Sequence, residues 1–130
     1  MKDIFSYRQF LQGFRNTRYE RVGVILQDAH GRNMGYVMVE AGSGCQDRVN
    51  ISVNKVKAAI EYFGAAMLTL VHGHPNSDHC HPSELDFVAT QKLDEILRES
   101  HAVKVRDHLI VPRSGDTYSF VQNGHWSFDR

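Results

Sequence analysis

A chain of 130 residues with 42% hydrophobic and 23% charged content carries enough apolar mass for one soluble domain with a core of ordinary size. Its formal net charge is zero, so the overall balance offers nothing to nucleic acid or to an acidic surface. No apolar run is long enough to span a bilayer, and the opening residues lack the core of a signal peptide. Cys45 and Cys80 make no disulfide framework, which favours a reducing, cytoplasmic compartment. With no repeat, low-complexity segment or linker, the expected organisation is a single domain over 1–130. It divides into an N-terminal helical segment at 1–18, a core at 19–124 and an aromatic tail at 125–130.

In chain order, Ile4, Phe5, Phe10, Leu11 and Phe14 recur at helical spacing and predict a short amphipathic helix. Residues 21–28 are β-branched and aliphatic, a buried strand; the turn residues His30-Gly31-Arg32-Asn33 lead to a second strand at 35–40, so the two form a hairpin. A glycine-rich break at 41–44 begins a loop. A helix then starts at Asn50 or Ser52, shows the stripe Val53, Val56, Ala59, Ile60 and Phe63, and stops at Gly64. Residues 65–71 have little polar alternation, as expected of a central strand covered on both faces. A second long helix opens at Pro82-Ser83 with Leu85, Val88, Leu93, Ile96 and Leu97 on its buried side. Strands at 102–112 and 117–122 follow, divided by a turn at 113–116. The tail residues His125, Trp126 and Phe128 either cap a core edge or meet a partner. The expected class is α/β or α+β, a mixed sheet with helices on its faces.

The chemistry gathers where the central strand ends. His72 and His74 are two residues apart, so an extended chain aims both imidazoles to one side. Asp86 lies in the first turn of the next helix and can reach back. Two imidazoles and a carboxylate make a three-ligand zinc site with one position open, as catalysis requires. Ser83, three residues before Asp86, shares its face of the helix. Its hydroxyl can hold an oxyanion or orient water, or it can simply cap the helix. A base is also needed, held near the metal without binding it. Glu20, at the mouth of the first strand, is the choice and Glu40 the rival; a lone glutamate can equally be a solvated surface charge. His79, Cys80 and His81 read as an exposed loop rather than a second metal contact, since Cys80 has no second thiol at ligand spacing. His108 either supports the site through a buried hydrogen bond or is a satisfied core histidine.

The arrangement Glu20, His72-x-His74-Pro75 and Ser83-x-x-Asp86 resembles the JAMM motif of the JAB/MPN metalloprotease superfamily. With Thr90, Asp107-His108-Leu109-Ile110-Val111 and Tyr118-Ser119-Phe120, the chain is more closely similar to the RadC-like JAB domain. The resemblance implies a cytidine-deaminase-like mixed sheet flanked by helices and one Zn2+ per chain on His72, His74 and Asp86. It also implies Glu20 as general acid/base and Ser83 as oxyanion or water helper. The implied reaction is hydrolysis of a peptide or isopeptide bond by a metal-activated water, on a peptide or ubiquitin-like protein substrate. The alternative is a DNA repair or nucleic-acid processing accessory, disfavoured by the neutral charge and by the lack, in these residues, of the family's helix-hairpin-helix module. A metal-free scaffold is disfavoured because every ligand is retained. Two departures stand out: Gly73 replaces the asparagine usual between the histidines, and the interval from His74 to Ser83 is one residue longer.

Overall fold

The computed structural model describes residues 2–15, 20–41, 51–74 and 84–127. In chain order the elements are α1 (Lys2–Gln12), β1 (Val22–Gln27), β2 (Asn33–Met38), α2 (Val53–Phe63), β3 (Met67–His74), α3 (Glu84–His101), β4 (Lys104–Pro112) and β5 (Tyr118–Ser119). They build one mixed sheet in the order β2-β1-β3-β4-β5. The β1–β2 hairpin and the β1–β3 and β4–β5 pairs are antiparallel. β3 and β4 are parallel and need α3 as their crossover. Among the described residues no helix is long and apolar enough to cross a membrane.

Both faces of the sheet are covered. On one, Val24, Leu26, Leu68, Leu70, Val105 and Ile110 pack against Val56, Ala59 and Ile60 of α2 and Leu93 and Leu97 of α3. On the other, Ile25, Val71, Leu109 and Val111 meet Phe14 and the Tyr7, Phe10 and Leu11 face of α1. Burial on both sides explains the near-continuous apolar runs of β1 and β3. The local signals work as physical chemistry expects. Asp28 Oδ1 accepts from the His30 and Arg32 amides in the hairpin turn, and Gly31 takes φ 81°. Ser52 caps α2 by accepting from Lys55 N, and Gly64 ends it in the left-handed region at φ 67°.

Three expectations are corrected. Val88 and Ile96, read as part of the buried side of α3, are exposed, at 45% and 37%. The inner stripe is Asp86, Thr90, Leu93, Asp94 and Leu97; Leu93 and Leu97 lie on it as expected, but polar groups fill its other positions, and the apolar pattern takes in Val88 and Ile96 from the outer side instead. The last strand, expected over 117–122, is only Tyr118–Ser119. Beyond it the chain turns through Asn123 N to Ser119 O and His125 N to Phe120 O. The central strand, expected over 65–71, runs Met67–His74, so the two histidines are its last residues, with His72 paired to Ile110 and His74 to Pro112 of β4. In the tail, Trp126 caps the core edge: it is buried and donates its indole N–H to Val105 O at 2.8 Å.

Candidate metal centre

Strand register assembles the site. In the antiparallel β1–β3 pair Val22 faces His72, and Gly73 N donates to Arg21 O at 3.1 Å, so Glu20 arrives beside the His72-x-His74 end of β3. The first turn of α3 brings Asp86 to the same point. His72 Nε2 and His74 Nε2 lie 2.8 Å apart. Glu20 Oε1 is 3.6 Å from the first and 3.7 Å from the second. Asp86 Oδ1 is 3.5 Å from His72 Nε2, and its Oδ2 is 4.0 Å from His74 Nε2. The side chains of His72 and Asp86 are 0% and 5% exposed; those of His74 and Glu20 are each 17% exposed.

His72 continues into a buried chain of polar groups. Its Nδ1 is 2.5 Å from His108 Nε2, and His108 Nδ1 is 2.6 Å from Thr90 Oγ1. The Thr90 hydroxyl donates to Asp86 O at 2.7 Å. His108 reaches this face because of a bulge. Leu68 pairs with Val105 but Thr69 with Asp107, so Arg106 is an extra residue, and beyond it the alternation of β4 is inverted. Asp107 Oδ1 accepts from the His108 and Val121 amides and its Oδ2 from Ser119 Oγ, which holds the irregular backbone. The sequence left His108 open between a supporting and a purely core role; the bulge that turns it toward His72 has no periodic signature.

Burial drives the pKa of His72 well below the usual histidine range, with further lowering from His108 and His74. Burial, then His74, lowers that of His108 to about 3. Both imidazoles are therefore neutral at pH 7, and the approach of the carboxylates to His72 is not ion pairing. It is what a set of ligands facing a common point looks like. Ligand atoms on a tetrahedron around zinc, with bonds of about 2.0–2.1 Å, stand roughly 3.3–3.4 Å apart. The observed range of 2.8 to 4.0 Å brackets that spacing. Neutral imidazole nitrogens with carboxylate oxygens also match zinc in chemistry and in charge, so the residues fit the ion.

By distance it is Glu20 that groups with the histidines: one oxygen, Oε1, lies within 4.8 Å of both Nε2 atoms, whereas Asp86 turns a different oxygen to each, at 3.5 and 4.0 Å. Glu40, the rival base, forms an ion pair with Arg21. Ser83, His79, Cys80 and His81 lie outside the described residues. A cavity of about 380 Å³ opens on the opposite face of the sheet, lined by Gln27, Thr69, Arg106 and Asp107 among others. Its polar groups already serve each other: Thr69 donates to Gln27, Gln27 to Asn33, and Asp107 accepts from Ser119. That cavity is not where the histidines are.

Comparison with known proteins places this geometry in a family. The model of the RadC-like JAB domain matches residues 1–125. A UPF0758 protein of Pelobacter propionicus is 34% identical over 123 residues, which is 95% of this chain and 51% of that protein. A UPF0758 protein of Geotalea uraniireducens is 33% identical over 118 residues, 91% of this chain and 50% of the relative. UPF0758 protein YfjY of Escherichia coli K12 is 42% identical over 69 residues, covering 53% and 41% of the two chains. The chain thus spans about half the length of the curated relatives it matches. Fold, site geometry and family model agree, and the chain belongs to the RadC-like JAB domain family.

Proposed function

We propose that the chain is a zinc-dependent hydrolase of the JAMM type that cleaves a peptide or isopeptide bond. The observation that carries this reading is the convergence of His72 Nε2 and His74 Nε2, 2.8 Å apart, with Asp86 and Glu20 oxygens within 4.0 Å. His72, His74 and Asp86 would hold the ion. Zinc, when bound, supplies Lewis acidity that polarises a carbonyl and lowers the cost of deprotonating water. The assignment of the two carboxylates follows burial: Asp86 is nearly closed off, whereas Glu20 keeps an exposed edge, as a group that exchanges protons with water and a leaving amine must. Ser83, three residues before Asp86 in sequence, is the proposed oxyanion helper. The substrate class is an extended peptide or ubiquitin-like tail, able to add a strand beside β2, an outer strand of the described sheet.

Elemental analysis of purified wild type and His74→Ala is the test. One zinc per chain is expected in wild type and loss of it in the variant, and equal zinc in both would sink the ligand assignment. Glu20→Gln should keep its zinc while hydrolysis of a fluorogenic peptide and isopeptide panel falls by about 10²–10⁴-fold.

A further inference from the structure

We propose that Thr90 and His108 are positioning residues that fix the tautomer of His72, so that its Nε2 presents a lone pair to the cation site. The proposal rests on the zinc reading above and concerns residues that reading does not use. The direction of the hydrogen bonds follows from one contact. Thr90 Oγ1 lies 2.7 Å from Asp86 O, and a carbonyl oxygen carries no proton, so the hydroxyl donates there. Having given its one proton, Oγ1 can only accept from His108 Nδ1, 2.6 Å away, which places the His108 proton on Nδ1. His108 is fully buried, stacked on Phe120 at 4.5 Å, and its two nitrogens face uncharged partners. A cation there would be costly, so the ring is neutral and its Nε2 accepts. The 2.5 Å contact between His108 Nε2 and His72 Nδ1 then requires His72 to be the donor. With its proton on Nδ1, His72 has a bare Nε2, the atom that faces His74, Glu20 and Asp86.

The opposite polarity would put a proton on His72 Nε2, where a metal must bind. It would also leave Thr90 Oγ1 and Asp86 O in contact at 2.7 Å with no hydrogen between them. The relay starts on the backbone of one proposed ligand and ends on the ring of another. The seating of α3 against β4 therefore sets the position of Asp86 and the tautomer of His72 together.

Long-range ¹H–¹⁵N spectra of the metal-free wild type report which nitrogen of His72 and of His108 carries the proton. Protonation on Nδ1 of both rings is expected; protonation of His72 on Nε2 overturns the proposal. Zinc affinity, measured by chelator competition, should fall roughly 10–100-fold in Thr90→Val, which keeps the shape but loses the hydroxyl, and Thr90→Ser should recover most of the loss. A folded Thr90→Val with wild-type affinity and wild-type tautomers refutes the relay. Should Thr90→Val fail to fold, the wild-type spectrum and the Thr90→Ser affinity still decide. Should wild type bind no zinc, the hydrolase reading fails by itself, and the His72 tautomer alone accepts or rejects the relay.

Discussion

Two buried polar networks tie α3 to β4, and they end differently. Asp94 Oδ1 accepts from Val105 N at 2.9 Å and Oδ2 from Arg98 Nε at 2.8 Å, so donors from strand and helix hold the carboxylate. One turn toward the start of the same helix, Thr90, together with His108 of β4, passes the chain of bonds on to His72, whose far nitrogen faces His74 and two carboxylates. Asp94, Thr90, His108 and His72 are all buried, with Arg98 partly exposed, and no buried side-chain polar atom among the described residues lacks a partner. What separates them is the terminus: one network is consumed in holding backbone, and the other delivers an oriented lone pair to a pocket rimmed by partly exposed Glu20 and His74. Buried polarity on a helix face is thus weak evidence of function until its end is traced.

Acid breaks the comparison most strongly. His72 and His108 are held neutral by burial, so their folded pKa values lie below the unfolded value near 6.5. Below that value the unfolded chain takes up protons that the folded state refuses. The stability of the metal-free protein is therefore full above about pH 6.5 and is lost as pH falls toward the folded pKa, about 3 for His108. Urea unfolding with chelator present, at steps between neutral and acid pH, measures the slope. His108→Gln should lower that slope by its own share; an unchanged slope would mean that His108 is not buried neutral. Replacing Asp94 sharpens the contrast by removing only the Asp94 network. Asp94→Ala leaves the buried Val105 N–H without its acceptor, which should cost roughly 2–3 kcal/mol of stability in the same unfolding assay. Zinc affinity should stay at the wild-type level. A fall comparable to that expected for Thr90→Val would show that the two networks are not independent.

The sequence exposes some of this arrangement and hides the rest for physical reasons. β1, β3 and α2 are legible because runs such as Val22 to Leu26 and the Val56, Ala59, Ile60 stripe bury apolar groups at the period of their element, with Ser52 and Gly64 marking ends. His72 and His74 share a face by the two-residue alternation of a strand, and Glu20 joins them through the Val22–His72 register. The inner face of α3 is only half legible to an apolar pattern: Leu93 and Leu97 mark it, but Asp86, Thr90 and Asp94 fill the rest, and the pattern draws in Val88 and Ile96 from the outer side. The orientation of His108 is hidden more deeply. Plain alternation from Val105 would turn it to the α1 face, and only the extra residue at Arg106 brings it to His72. An insertion of that kind depends on the partner strand, which no single stretch of sequence contains.

The smallest expected effect concerns the back of the site. Between the two histidines, Gly73 turns toward α1, and a Cβ added there would stand 2.7 Å from Phe14 O and 3.2 Å from Phe14 Cβ. The closest obstacle is backbone, fixed by Phe14 N donating to Leu11 O at 3.0 Å and by Arg15 donating to Pro112 O at 3.0 Å, so it cannot swing aside as a side chain would. Packing of the segment after α1 thus leaves no room for a side chain between the two histidines. Gly73→Ala should cost roughly 1–2 kcal/mol, the overpacking of a tight contact, as the end of α1 backs away from β3. Because the added methyl points away from the imidazoles, zinc affinity should fall far less than in Thr90→Val. A loss of metal binding without a loss of stability would mean that the His72-x-His74 backbone itself had shifted, and that α1 sets the spacing of the histidines.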